Sequence, residues 1–440
     1  MPHSVIRLRN GLRIVHEEVA SPISHFGVLV NAGTRDELPQ QMGIAHFVEH
    51  TIFKGTQKRN AFRVLSRMET VGGDLNACTY KEETDFHTSF PSSEYERAVE
   101  LLSDVLFNST FPEKELEKEK TVVQEEISFY KDSPSEQIFD DFEDLVFEGH
   151  PLGKNILGTK QSVKKFKRKD ILSFMERNYT LDNIVLASAG NISTAKLVRL
   201  CERYFGSHEI KQVERERAPF ENYVPKIKHV NKNISQTNVL LGNLSYCFKD
   251  DKRTPFLLLT NILGGDGMNT RLNLSVREKR GLAYSIESYY TVFSDMGLFS
   301  IYYGCDPHNR DHCLEIIQKE LKKIREEKLG TMQLYYAKKQ LIGRLALSNE
   351  SKINEMLTLG HSAFYYDEID TMEESNAEIN AVTADQILEV PAVAPFFSKN
   401  TVLRSLPLET RNAIKATPTK RPRPMRRPLP SPWMTRMTRK

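Results

Sequence analysis

Polar and apolar positions alternate at the start of the chain, then shift to a helical period. Val5–Leu8 and Leu12–His16 read as two strands around Asn10-Gly11, the dipeptide of a tight hairpin turn. Phe26, Val28 and Val30 alternate through a third strand. A loop at 32–41 then leads into Gly43–Phe53, which is apolar on most sides and predicts a buried helix. An amphipathic helix over 61–71 stops at Gly72-Gly73, and 75–90 reads as a strand pair. Helices follow at 94–107, from Pro112 to about Tyr130, and at 135–146. Ile184–Ala189 reads as a buried strand and Leu197–Phe205 as the helix closing this half.

The pattern then repeats. Thr237–Leu244 corresponds to the third strand and Pro255–Leu263 to the buried helix. Residues 282–305 correspond to the strand pair, with a longer turn expected. Leu314–Ile324 and Met332–Leu347 match the helices after that pair. The expected fold class is α+β: two homologous halves, each a mainly antiparallel sheet with helices packed on one face. Residues 1–206 form the first half, 207–222 a charged linker and 223–405 the second half. Pro391 and Pro395 interrupt the helical pattern near the end of the second half.

Charge changes the picture at one place. The last 30 residues hold ten Lys/Arg, six Pro and no acid, so 406–440 is expected to be a disordered basic tail. The formal net charge is +3; without those residues it is −7, and nothing in the body suggests nucleic-acid binding. No run of 18 apolar residues predicts a membrane span, and Met1 leads directly into a strand pattern without a secretory signal. Five scattered cysteines fit a reducing compartment, so a cytoplasmic location is expected.

Chemistry concentrates in two helices. The first holds His46, Glu49 and His50 as H-x-x-E-H. In a helix the two imidazoles lie one turn apart on one side, with Glu49 beside them. Burying them is unfavourable without partners, and Zn2+ is one; backbone groups are the alternative. The second is PEKELEKEKTVVQEEISFY, whose stripe is read as Glu119, Val122, Val123, Glu126 and Tyr130. Glu126 points inward with the valines, while Glu125 is turned about 100° toward solvent. Glu126 is therefore the candidate third ligand and Glu119 a supporting carboxylate. Cys305, His308, His312 and Cys313 also cluster, but without zinc-finger spacing.

These motifs, HFVEHTIFKGT, GGDLNACTYKEET and EKEKTVVQEEI, resemble those of the pitrilysin or insulinase (M16-type) family of zinc metallopeptidases. That family includes the mitochondrial processing peptidase β subunit and bacterial homologues; the resemblance covers about residues 1–400. It implies His46, His50 and Glu126 on zinc, Glu49 as general base and Glu119 as an essential neighbour. It implies that Asn76 and Ala77 lie on a strand that pairs with substrate, and that Glu82 supports the ligand histidines. Arg277 and Tyr284 match a pair that reaches into the cleft from the second half to hold substrate and the oxyanion. The implied activity is peptide hydrolysis inside a closed chamber, completed by a homodimer or by a paired M16-like chain. The alternative is a non-catalytic assembly subunit of the same fold. S-ribosylhomocysteine lyase shares H-x-x-E-H, but it is far shorter and uses a Cys ligand.

Overall fold

The computed structural model describes residues 3–208, 216–221, 223–393 and 400–407. The first half begins with β1 (His3–Ser4), β2 (Ile6–Arg7), β3 (Arg13–Glu18) and β4 (Ile23–Val30). Helices α1 (Ile44–Ile52) and α2 (Ala61–Glu69) lead to the hairpin β5 (Asn76–Thr79) and β6 (Thr84–Pro91). Then come α3 (Tyr95–Asn108), α4 (Glu113–Lys131) and α5 (Pro134–Val146). The half closes with α6 (Lys160–Lys165), α7 (Arg168–Asn178), β7 (Ile184–Gly190) and α8 (Thr194–Phe205).

The second half has β8 (Ile227–Lys232), β9 (Thr237–Ser245) and α9 (Arg253–Gly264). The strand pair is β10 (Ala283–Val292) and β11 (Gly297–Cys305). Helices α10 (Arg310–Glu326), α11 (Thr331–Asn349) and α12 (Lys352–Ser362) follow. The described part ends with β12 (Glu368–Ile369), α13 (Met372–Ala381), α14 (Ala384–Val393) and β13 (Thr401–Pro407). Strand β12 pairs with β1 across the halves.

The duplication shows in the sheets. The first has strand order β2-β3-β7-β4-β6-β5; the second, taken from its other edge, runs β8-β13-β9-β11-β10. In each, one pair is parallel, β3 with β7 and β8 with β13, at corresponding places. The remaining ladders are antiparallel. In the first half, one face carries a core in which Phe26 and Val28 of the sheet meet Phe47 and Val48 of α1 and Val99 and Leu102 of α3. The second half builds a corresponding core on Val239, Phe256 and Ile301.

Each sheet's other face is covered by a helix of the opposite half. Met356, Leu357 and Leu359 of α12 pack on Val15, Leu29, Val185 and Ala187 of the first sheet. Ile138, Phe142 and Val146 of α5 pack on Leu240, Leu298 and Leu403 of the second. Helix α12 lies so close that a Cβ on Gly360 would stand 2.7 Å from Leu29 Cδ2 and 3.0 Å from Ala187 Cβ.

Four expectations change in detail. The turn between β10 and β11 is four residues long, as is that between β5 and β6; the strands are longer, not the turn. Helix α14 continues through Pro391 to Val393, and β13 runs to Pro407, two residues into the span expected to be tail. The rest of that tail, 408–440, lies outside the described residues, as do 209–215 and 222 of the expected linker. Val122 is 44% exposed rather than on the inward stripe of α4, which is Leu116, Glu119, Lys120, Val123 and Ile127.

Candidate metal centre

Helix α1 starts where a side chain could not. Gly43 has φ +88°, and a Cβ on it would stand 2.8 Å from Gly158 Cα and Leu157 O. No Ser, Thr, Asp or Asn caps this N-terminus. Instead Glu37, from the preceding loop, accepts from Gly43 N at 2.8 Å and Ala45 N at 3.0 Å. Burial pushes the Glu37 carboxyl up to about 8, against the downward pull of those two N–H bonds. The capped helix presents both histidines inward, packed edge to face with ring centroids 4.5 Å apart.

Helix α4 brings the carboxylate. Glu126 Oε2 lies 3.7 Å from His46 Nε2 and 3.4 Å from His50 Nε2. The neighbouring Glu125 is exposed, as the helix phase requires. Glu119 Oε2 is 3.2 Å from His50 Nδ1, which donates to it and so leaves Nε2 as the lone-pair nitrogen on the Glu126 side. Lys54 Nζ pairs with Glu119 Oε1 at 2.6 Å. Burial alone would raise the Glu119 carboxyl; its bonds to His50 and Lys54 outweigh that and hold it at about 2. Lys54 follows His50 by four residues, the spacing of a helical neighbour, and that spacing is the sequence signal for this contact.

The donor set fits a metal ion. The three donor atoms of His46, His50 and Glu126 lie within 4.8 Å of one another, the one such group among the described residues. A direct N–H···O bond spans about 2.7–3.2 Å, so 3.4 and 3.7 Å are too long for imidazole–carboxylate hydrogen bonds. Two ligand atoms, each about 2.0–2.1 Å from a tetrahedral zinc, stand about 3.3 Å apart. The observed separations are close to that figure.

Glu49 accepts from Thr79 Oγ1 at 2.8 Å, which ties it to the end of β5. Asn76 and Ala77 lie on the same strand, paired with His87 and Phe86 of β6. Strand β5 is the edge of its sheet, so among the described residues no strand pairs with its other side.

The remaining site candidates are bonded to other groups or face solvent. Glu82 is not placed to support the ligand histidines. Its carboxylate takes bonds from Arg35 at 2.7 Å and from Ser294 at 2.6 and 2.8 Å, because the β10–β11 turn docks against it. Arg277, in the π-helical stretch Asn273–Glu278, is 3.8 Å from Glu278 Oε1. Tyr284 on β10 is 65% exposed. Among the described residues no hydrogen bond or ion pair joins either to the histidines.

Two sheets with exchanged helices and one cluster of two buried histidines and a half-buried glutamate define an α+β protein of two like halves with a set of metal-ligating side chains. The family model for Insulinase (Peptidase family M16) matches residues 13–160, and that for the Peptidase M16 inactive domain matches 165–341. An uncharacterized zinc protease of Bacillus subtilis (strain 168) named YmxG is 34% identical over 86% of this chain and 92% of its own length. One from Mycobacterium leprae (strain TN) is 33% identical over 91% of this chain and 93% of its own. The crystal structure of a peptidase M16 inactive domain from Pseudomonas fluorescens superposes with TM-score 0.86 at 20% identity, covering 94% of this chain and all of its own. A protease from Helicobacter pylori gives 0.84 at 21%, covering 92% and 100%. The chain belongs to peptidase family M16.

Proposed function

We propose that the chain is a zinc-dependent metalloendopeptidase, with His46, His50 and Glu126 holding the metal. The carrying observation is that both Nε2 atoms converge on one Glu126 oxygen at metal-sharing rather than hydrogen-bonding distance. A zinc ion bound there supplies a Lewis acid that acidifies water and polarises a carbonyl. Glu49 takes the proton from the attacking water and returns it to the leaving amine nitrogen. The Thr79 hydroxyl holds the Glu49 carboxylate at β5 while it does so. An extended peptide pairs along the open side of Asn76 and Ala77, which sets its scissile carbonyl beside Glu49. Arg277, half-buried, and Tyr284, exposed, are available to reach substrate from the second half. That half carries no ligand set on α9 and acts as a wall of the site.

The reading extends to a chamber closed by a second copy or by a paired chain of the family, which admits short or unfolded peptides. It places the enzyme in a reducing compartment such as the cytoplasm, where its five cysteines stay as thiols. Glu49→Gln tests the chemistry. The variant should retain zinc and lose peptide cleavage by at least about a hundredfold. Cleavage at the wild-type rate would remove Glu49 from the mechanism.

A further inference from the structure

The turn joining β5 to β6, Tyr80–Glu83, carries three consecutive charged residues, a composition that normally faces water. Here it is held on every side. Its backbone carbonyls at Tyr80 and Lys81 accept from Thr34 N at 3.2 Å and Arg35 N at 2.7 Å. Lys81 Nζ meets Glu143 of α5 at 2.9 Å. Glu83 bonds His361 on α12. Between them Glu82 is buried, and both its oxygens accept from Ser294 in the β10–β11 turn. Arg35 completes the cluster. It bonds Glu82 at 2.7 Å and both oxygens of Asp295 at 2.7 and 2.6 Å. Arg217, just before the second half, donates to the Glu82 carbonyl at 2.6 Å.

The first sheet therefore has its edge hairpin fastened to the second half at two of its four turn residues. A hairpin tip on an edge strand is otherwise among the first parts of a fold to open. Thr79, the residue before this turn, is the one that holds Glu49. We propose that Glu82, with Arg35 and Ser294–Asp295, is a positioning cluster through which the second half fixes β5 against α1. It sets both the strand that receives substrate and, through Thr79, the direction of Glu49. The inference rests on the peptidase reading above. It assigns Glu82 no contact with metal or substrate.

Full-length Ser294→Ala, Ser294→Thr and Glu82→Gln test it. Ser294→Ala removes one hydroxyl from a partly buried turn, and Ser294→Thr keeps it. In Ser294→Ala and Glu82→Gln, hydrogen exchange over 76–87 should quicken at least about tenfold. Zinc per chain should stay at the wild-type value. For an extended peptide, kcat/KM should fall about tenfold, through KM as the receiving strand is displaced and through kcat as Glu49 loses its direction, while the metal stays. Ser294→Thr should behave as wild type. Wild-type exchange in Ser294→Ala overturns the proposal, as does a loss of zinc in step with kcat, the mark of general damage. If Glu82→Gln does not fold, Ser294→Ala against Ser294→Thr decides. If the wild-type chain cleaves no peptide, the peptidase reading fails and exchange still decides the cluster.

Discussion

The proposed ligand carboxylate is chosen by a rotation of one residue. Glu125 and Glu126 are chemically identical, and only the turn of α4 sends one to solvent and the other toward His46 and His50. That choice was legible in the sequence because Val123 and Tyr130 mark the inward side. Val122 was misplaced for a related reason. Leu116, Lys120 and Ile127 draw the buried arc away from it, so it lies about 120° from the arc's centre. Glu82 was not legible at all, since its partner Ser294 lies 212 positions further along the chain. In the proposed zinc site Glu119 would act on the metal through His50, so Glu119→Gln should weaken zinc affinity about 10–100-fold with the fold intact. Competition against a chelator of known affinity measures this, and unchanged affinity would show that the His50 bond does not matter.

At the scale of elements, the metal helix depends on what precedes it. The H-x-x-E-H pattern predicts the helix but not how its N-terminus is satisfied, because Glu37 reaches back from a separate loop. Glu37→Ala should destabilise the protein by about 1–2 kcal/mol, the value of a lost helix cap, or more because the N–H groups are buried. Gly43→Ala should cost more, because its Cβ meets backbone atoms that cannot turn aside. Urea unfolding of both variants checks the order. A Gly43→Ala midpoint at or above that of Glu37→Ala contradicts this account of how α1 begins.

The whole molecule is two copies of one plan that cannot be pulled apart. The repeat was visible in the order of patterns, but the exchange of α5 and α12 was not. Each helix is amphipathic in a way that suits either sheet, and only the fold decides which it meets. Met356, Leu357 and Leu359 each contribute about 1.5–3 kcal/mol by burial, a sum comparable to the whole stability of a typical domain, about 5–15 kcal/mol. A chain of residues 1–206 should therefore lack cooperative unfolding and expose the apolar face around Leu29 and Val185. Calorimetry of that fragment decides. A sharp transition near that of the full chain would show that the halves fold independently.

The convergence of two helices on one ion is tested most directly by counting metal. Zinc per chain is measured by elemental mass spectrometry on the wild type, Glu125→Gln and Glu126→Gln, each after dialysis against a mild chelator. One zinc per chain in the first two and loss in Glu126→Gln is the predicted result; equal zinc in both variants, or zinc lost only from Glu125→Gln, would contradict it.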